Sequence, residues 1–178
     1  MGSLKAMYTW QFTFPGGKLL FMGQEFAMDE AWNVKQSIDW HLADDFAHRD
    51  IMQCVQNLLN VYKTHPCLYM DSKNPTTFEW VNRGDADRNI VAYYRRNPWN
   101  YEGAVLVVCN FSPVEYHDYT VGLPMEGFTS ASSPPTTAST GGTPLCMILK
   151  LCSFSPEDIT IRPFRSSVSS LGLISKIS

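Results

Sequence analysis

The chain changes character at Gly127. All five Trp and all eight Tyr lie before that point. The 51 residues from Phe128 to Ser178 hold neither, carry twelve Ser against four in the first 127, and contain only two acids, Glu157 and Asp158. Ser130 to Thr143 has no aromatic and no charged residue. A core needs large apolar side chains to offset the entropy of ordering the backbone, and a Ser/Thr/Pro/Gly tract offers few. The folded part is therefore expected within residues 1–127, with 128–178 reading as a linker or disordered tail.

Hydrophobic residues make up 44% of the 178 and charged residues 17%, a globular balance that suits one domain or parts of two. Fourteen Lys and Arg against seventeen Asp and Glu leave a net charge of −3, so a phosphate-tracking nucleic-acid binder is excluded. No apolar run reaches the ~18 residues of a membrane span, and Met1 to Lys5 lacks a signal-peptide core, so no membrane partner and a cytoplasmic location are expected. Five cysteines without a CxxC spacing read as reduced thiols. Cys54 in a helix and Cys109 in an apolar strand are expected in the core. His41, His48 and His65 lack the spacing of a zinc helix, so no metal site is expected.

Leu4, Met7, Tyr8 and Phe12 approximate helical spacing, and Pro15-Gly16-Gly17 stops that segment. Leu19 to Met22 is a continuous apolar run between Lys18 and Gly23, which fits a strand of a parallel sheet buried on both faces. A long polar and aromatic stretch follows, Gln24 to Asp45. Ile51, Val55, Leu58, Leu59 and Tyr62 form one apolar stripe on a helix over 45–62 that ends at His65-Pro66. The period then changes. Phe78 to Val81, Asn89 to Arg95 and Ala104 to Phe111 are β-branched and aromatic runs separated by Asn, Asp and Gly, an antiparallel signature, and His117 to Val121 offers a fourth strand. Arg95-Arg96 reads as a strand end. The join between the two parts falls near Thr64 to Met70. Leu145 to Leu151 and Ile159 to Ile161 are the tail's only strand candidates.

Gly23 to Asn33, with Ser37 to His41, is the most informative region, because ligands bind beyond the C-terminal ends of parallel strands. Glu25, Asp29, Glu30 and Asp39 supply carboxylates there. Trp32 and Trp40 supply flat apolar faces, each with one N–H donor. Carboxylates beside an aromatic face suit a sugar, whose hydroxyls need acceptors and whose C–H face needs a platform. The alternative at this point is that both Trp plug the mouth of a barrel and Glu25 pairs with a buried Arg.

Lys18-Leu-Leu-Phe-Met-Gly-Gln-Glu-Phe26, Trp32-Asn33 and Ser37-Ile-Asp-Trp-His-Leu42 resemble the last barrel strand and following loop of bacterial 1,4-α-glucan branching enzymes, in the α-amylase superfamily. The resemblance continues through Val55 to Tyr62, His65-Pro66, Phe78-Glu-Trp80, Asp85-Ala-Asp87, Arg95-Arg96, Val107 to Pro113 and His117-Asp-Tyr119, covering about residues 4–127. It implies α/β plus all-β: residues 1–64 as the last part of a (β/α)8 barrel, 65–127 as an incomplete C-terminal β-sandwich domain, and 128–178 as an out-of-frame or disordered tail. It implies retaining transfer of an α-1,4-glucan segment to a 6-hydroxyl, forming α-1,6 branches in glycogen. The partner would be an α-glucan such as glycogen or amylose, with no cofactor, in a monomeric parent. The family's catalytic Asp and Glu residues lie on earlier strands, so none is expected in this chain, and Glu25, Trp32, Asp39 and Trp40 become candidate glucan contacts. Met28 and Ala31 depart from the family, which has polar residues there. Shifted by one base, Thr136 to Pro144 can encode an acidic Tyr-Gly-Gly segment like the family's. A glucan-binding β module without catalysis, or a gene remnant, are the alternatives.

Overall fold

The computed structural model describes residues 2–82, 85–99, 103–114, 119–121, 126–131, 146–154 and 159–161. Helix α1 spans Gly2–Thr13 and helix α2 spans Phe46–Thr64. Asp45 caps α2, its carboxylate accepting from the Ala47 N–H at 2.8 Å and so satisfying one of the first-turn donors. His65 closes the other end, and Pro66 cannot continue it. The buried stripe of α2 is His48, Ile51, Cys54, Val55, Leu58 and Val61. It runs one residue earlier at its end than the spacing suggested, leaving Leu59 at the surface. The two helices are tied by Lys5 and Asp50, whose charged atoms meet at 2.5 Å.

Four strands follow close to their expected places: β1 Phe78–Asn82, β2 Ile90–Arg95, β3 Val105–Asn110 and β4 Tyr119–Val121. Strands β1, β2 and β3 pair antiparallel in sequence order, with Phe78 opposite Arg95 and Ile90 opposite Asn110. Period-2 alternation sends Tyr93, Val105, Val107 and Cys109 into one core with Tyr8, Phe12, Ile51, Val55, Leu58 and Leu68 from the helical side. Leu106 and Val108 occupy the opposite face of β3 and are buried as well. Phe14, Phe78, Trp80 and Tyr93 pack edge-on or tilted, with centroids 5.0–6.1 Å apart, where the end of α1 meets the sheet. Cys54 and Cys109 lie in this core, as expected of small apolar thiols.

Two expectations need correction. Leu19 to Met22 is not a strand. Leu20 packs on the core, but Leu19 is 72% exposed and Phe21 45%. A parallel strand buried on both faces needs a neighbour on each edge to take its N–H and C=O groups. Here Gln11 Nε2 donates to the Leu19 carbonyl at 2.5 Å, and the Phe21 N–H goes to Gln24 Oε1 at 3.0 Å, so local side chains satisfy the backbone instead.

The second correction concerns the segment after Gly127. Three more strands are described, β5 Glu126–Ala131, β6 Cys146–Phe154 and β7 Ile159–Ile161. The main sheet runs β1-β2-β3-β6-β5, and β4 pairs with β7. Val105 stands opposite Lys150 and Cys109 opposite Cys146. The two apolar runs singled out in the tail are strands, and β6 shields an edge of β3 that would otherwise present bare N–H and C=O groups. The intervening Ser/Thr/Pro/Gly tract from Ser132 onward lies outside the described residues. Among the described residues, no helix is long and apolar enough to cross a membrane.

Candidate functional site

The loop between the helices is organised by a tight turn, Met22–Met28. Three residues in it take positive φ: Met22 (36°), Gly23 (85°) and Ala27 (58°). Gly23 is required here. A Cβ at this position would meet the Met28 Cβ at 2.9 Å, in a backbone conformation that side chains resist. The Gly23 carbonyl accepts from the Phe26 N–H at 3.3 Å and the Met28 N–H at 3.0 Å, which closes the turn on itself.

Both helices grip this turn through its carbonyls. The Tyr8 hydroxyl of α1 donates to the Gln24 carbonyl at 2.5 Å. His48 Nδ1 of α2 lies 2.9 Å from the Phe26 carbonyl. Phe26 is wholly buried and seats the turn on the helix pair. Burial, and then the nearby Glu25 carboxylate, push the Tyr8 phenol above its ordinary range, so it stays a donor well into alkaline solution.

The four candidate residues fall around this frame. Glu25 sits at the centre of the turn and is half-buried. Trp40 leans on Phe26 with ring centroids 5.6 Å apart and an interplanar angle of 33°. Trp32 stands edge-on to Phe21 at 5.5 Å. Both indoles are 58% exposed, so each keeps a free face. They belong to two separate aromatic pairs, and only Trp40 shares a support with Glu25. Asp39 precedes the 3-10 turn Trp40–Asp44; its carbonyl accepts from the Leu42 N–H at 3.0 Å, and its partly exposed side chain makes no capping bond. In this chain neither Trp fills a buried plug. Among the described residues the buried arginine is Arg95, and its guanidinium bonds go to carbonyls outside this turn.

Arg95 ends β2, as its reading as a strand end expected, and it is also wholly buried. Its guanidinium donates to the carbonyls of Thr13 (2.9 Å), Cys67 (3.1 Å), Leu68 (3.3 Å) and Thr77 (3.3 Å). That fan ties the C-terminal end of α1, where helix carbonyls favour a cation, to the crossover and to the sheet. The signal available in the sequence was the alternation of β2, which puts Arg95 on the inward face with Tyr93. His48 had a comparable signal, three residues before Ile51 on the stripe of α2. Tyr8 was read only as part of a helical pattern.

The β half has a recognisable kin. Residues 80–131 match the family described as the alpha amylase C-terminal all-beta domain. That match runs from Trp80 within β1 to Ala131, the last residue of β5. The chain is 42% identical over 125 residues to the 1,4-alpha-glucan branching enzyme GlgB of Rhodopseudomonas palustris (strain BisA53), covering 70% of this chain and 17% of that protein. It is 39% identical over 125 residues to the enzyme of the same name from Cereibacter sphaeroides, again 70% of this chain and 17% of the relative. To that of Aquifex aeolicus (strain VF5) it is 38% identical over 126 residues, 71% of this chain and 20% of the relative. The chain is thus similar to the glucan branching enzymes over about 70% of its own length, and it spans between 17% and 20% of the length of these relatives.

Proposed function

We propose that the chain is the C-terminal part of a glucan branching enzyme, whose whole transfers α-1,4-glucan segments to 6-hydroxyls during glycogen synthesis. The observation that carries this reading is the 42% identity over 125 residues to a protein of that name. In this reading residues 1–64 complete a (β/α)8 barrel and 65–127 begin a β-sandwich. The parent acts as a cytoplasmic monomer on glycogen or amylose. Glu25, Trp32, Asp39 and Trp40 contact glucan, and the carboxylate pair that breaks and remakes the glycosidic bond belongs to earlier strands.

Two exposed indoles and two accessible carboxylates on one loop support the glucan contacts: aromatic faces take the C–H side of a sugar ring while carboxylates accept from its hydroxyls. They also favour a second reading, glucan binding by this chain without turnover. The test is amylose branching by the purified 178-residue protein. Iodine–amylose absorbance should stay constant, with no new α-1,6 signal by NMR. Branching at stoichiometric protein would overturn the assignment of catalysis to earlier strands. Absence of any branching from an upstream-extended form would overturn the enzyme reading itself.

A further inference from the structure

Glu25 occupies an unusual place: the carbonyls on either side of it, those of Gln24 and Phe26, are each held by a side chain from a different helix. Tyr8 donates to Gln24 O at 2.5 Å and His48 Nδ1 lies 2.9 Å from Phe26 O. Tyr8 and His48 are 4% and 7% exposed, so neither can exchange its bond for water at low cost. A carbonyl oxygen only accepts, so His48 carries its proton on Nδ1, and Nε2 faces the Asp29 carboxylate at 4.0 Å. Phe26, pinned through its carbonyl, is in turn the surface on which Trp40 leans.

We propose that Tyr8 and His48 are positioning residues: together they clamp the backbone around Glu25 and, through Phe26, set the pose of Trp40, so that the carboxylate and the indole face are arranged before glucan arrives. This rests on the reading of Glu25 and Trp40 as glucan contacts. Neither clamp residue touches the sugar. Each removes freedom from the turn, so less ordering remains when ligand binds. Met22 and Ala27, neither a glycine, hold positive φ in the same turn, a conformation that persists only when surrounding bonds enforce it.

The test uses the 178-residue chain labelled with 5-fluorotryptophan, with maltoheptaose as the probe. Tyr8→Phe removes one hydroxyl and keeps the ring. His48→Leu removes the donor, and His48→Asn returns an amide N–H close to the Nδ1 position. Tyr8→Phe and His48→Leu should shift or broaden the Trp40 fluorine signal while leaving that of Trp99, far along the chain and exposed, unmoved. They should weaken maltoheptaose binding about tenfold, the equivalent of one buried hydrogen bond. His48→Asn should restore both the signal and the affinity. An unchanged Trp40 signal in Tyr8→Phe, which preserves packing, would overturn the clamp even if sugar binds normally. A Trp40 signal that responds as stated in a protein that never binds maltoheptaose would uphold the clamp and overturn the glucan reading.

Discussion

Two cations near the helix–sheet junction behave differently because of what surrounds them. Arg95 spreads its donors over carbonyls of three segments, a geometry that a single ammonium cannot reproduce. Arg95→Met removes the guanidinium bonds of Thr13, Cys67 and Leu68, whereas Thr77 keeps its bond from the Arg96 N–H at 3.1 Å. Urea denaturation should show a loss of about 3 kcal/mol, and Arg95→Lys should recover only a small part of it. Lys18 also donates to a backbone carbonyl, that of Phe14, and sits 5.8 Å from the Tyr62 ring. Burial, with the Arg95 charge second, lowers its pKa from 10.5 to about 8. The unfolded chain therefore binds more protons than the folded chain between about 8 and about 10.5. Stability contributed by this group is least below that window and rises with pH across it. The urea midpoint should climb from pH 8 to pH 10, and Lys18→Met should abolish the climb; a midpoint equally flat in both proteins would refute the assignment.

At the scale of elements, the turn Met22–Met28 is the part most dependent on one small residue. Gly23→Ala forces a Cβ to within 2.9 Å of the Met28 Cβ at a φ of 85°. The expected loss is about 1–2 kcal/mol, by the strain of a left-handed residue and the displacement of Met28. The distortion should be read locally as increased acrylamide quenching of Trp40, since Phe26 moves with the turn. Trp32→Ala and Trp40→Ala should act in the opposite sense. Both side chains are exposed and bury little on folding, so each substitution should change the melting temperature by less than about 2 °C while weakening glucan binding. A sharp fall in melting temperature with unchanged binding would return the plug reading.

The whole molecule depends on a pairing between distant segments. All six residues of β3 are buried. On one side β3 pairs with β2, and on the other with β6, some forty residues further along. Ending the chain at Ala131 would leave the β3 edge open while keeping the entire stretch that matches the α-amylase C-terminal domain. An open edge bearing Val105, Leu106, Val107 and Val108 is a template for another chain. The 1–131 form should therefore aggregate at concentrations where the 178-residue protein stays dispersed, as light scattering would detect. Equal dispersity of the two forms would show that β6 does not guard β3 in solution.

The helix read over 45–62, its stop at His65-Pro66 and the three strands between Phe78 and Phe111 were legible because each rests on local chemistry: the 3.6-residue stripe from Ile51, a proline that cannot continue a helix, and runs of β-branched and aromatic side chains bounded by Asn, Asp and Gly. Positions of Glu25, Trp32, Asp39 and Trp40 on one exposed loop followed from the same reading. Leu19 to Met22 misled because an apolar run records a demand for burial and not whether neighbouring strands are there to meet it. The strand Cys146–Phe154 could be marked as apolar, but its place beside β3 depends on a partner edge more than thirty residues away in sequence. Arg95, Tyr8 and His48 were visible as residue types on their helix and strand faces. What they do depends on which backbone carbonyls arrive opposite them, and only chain folding brings Thr13, Gln24, Phe26 and Cys67 within 3.1 Å of those donors.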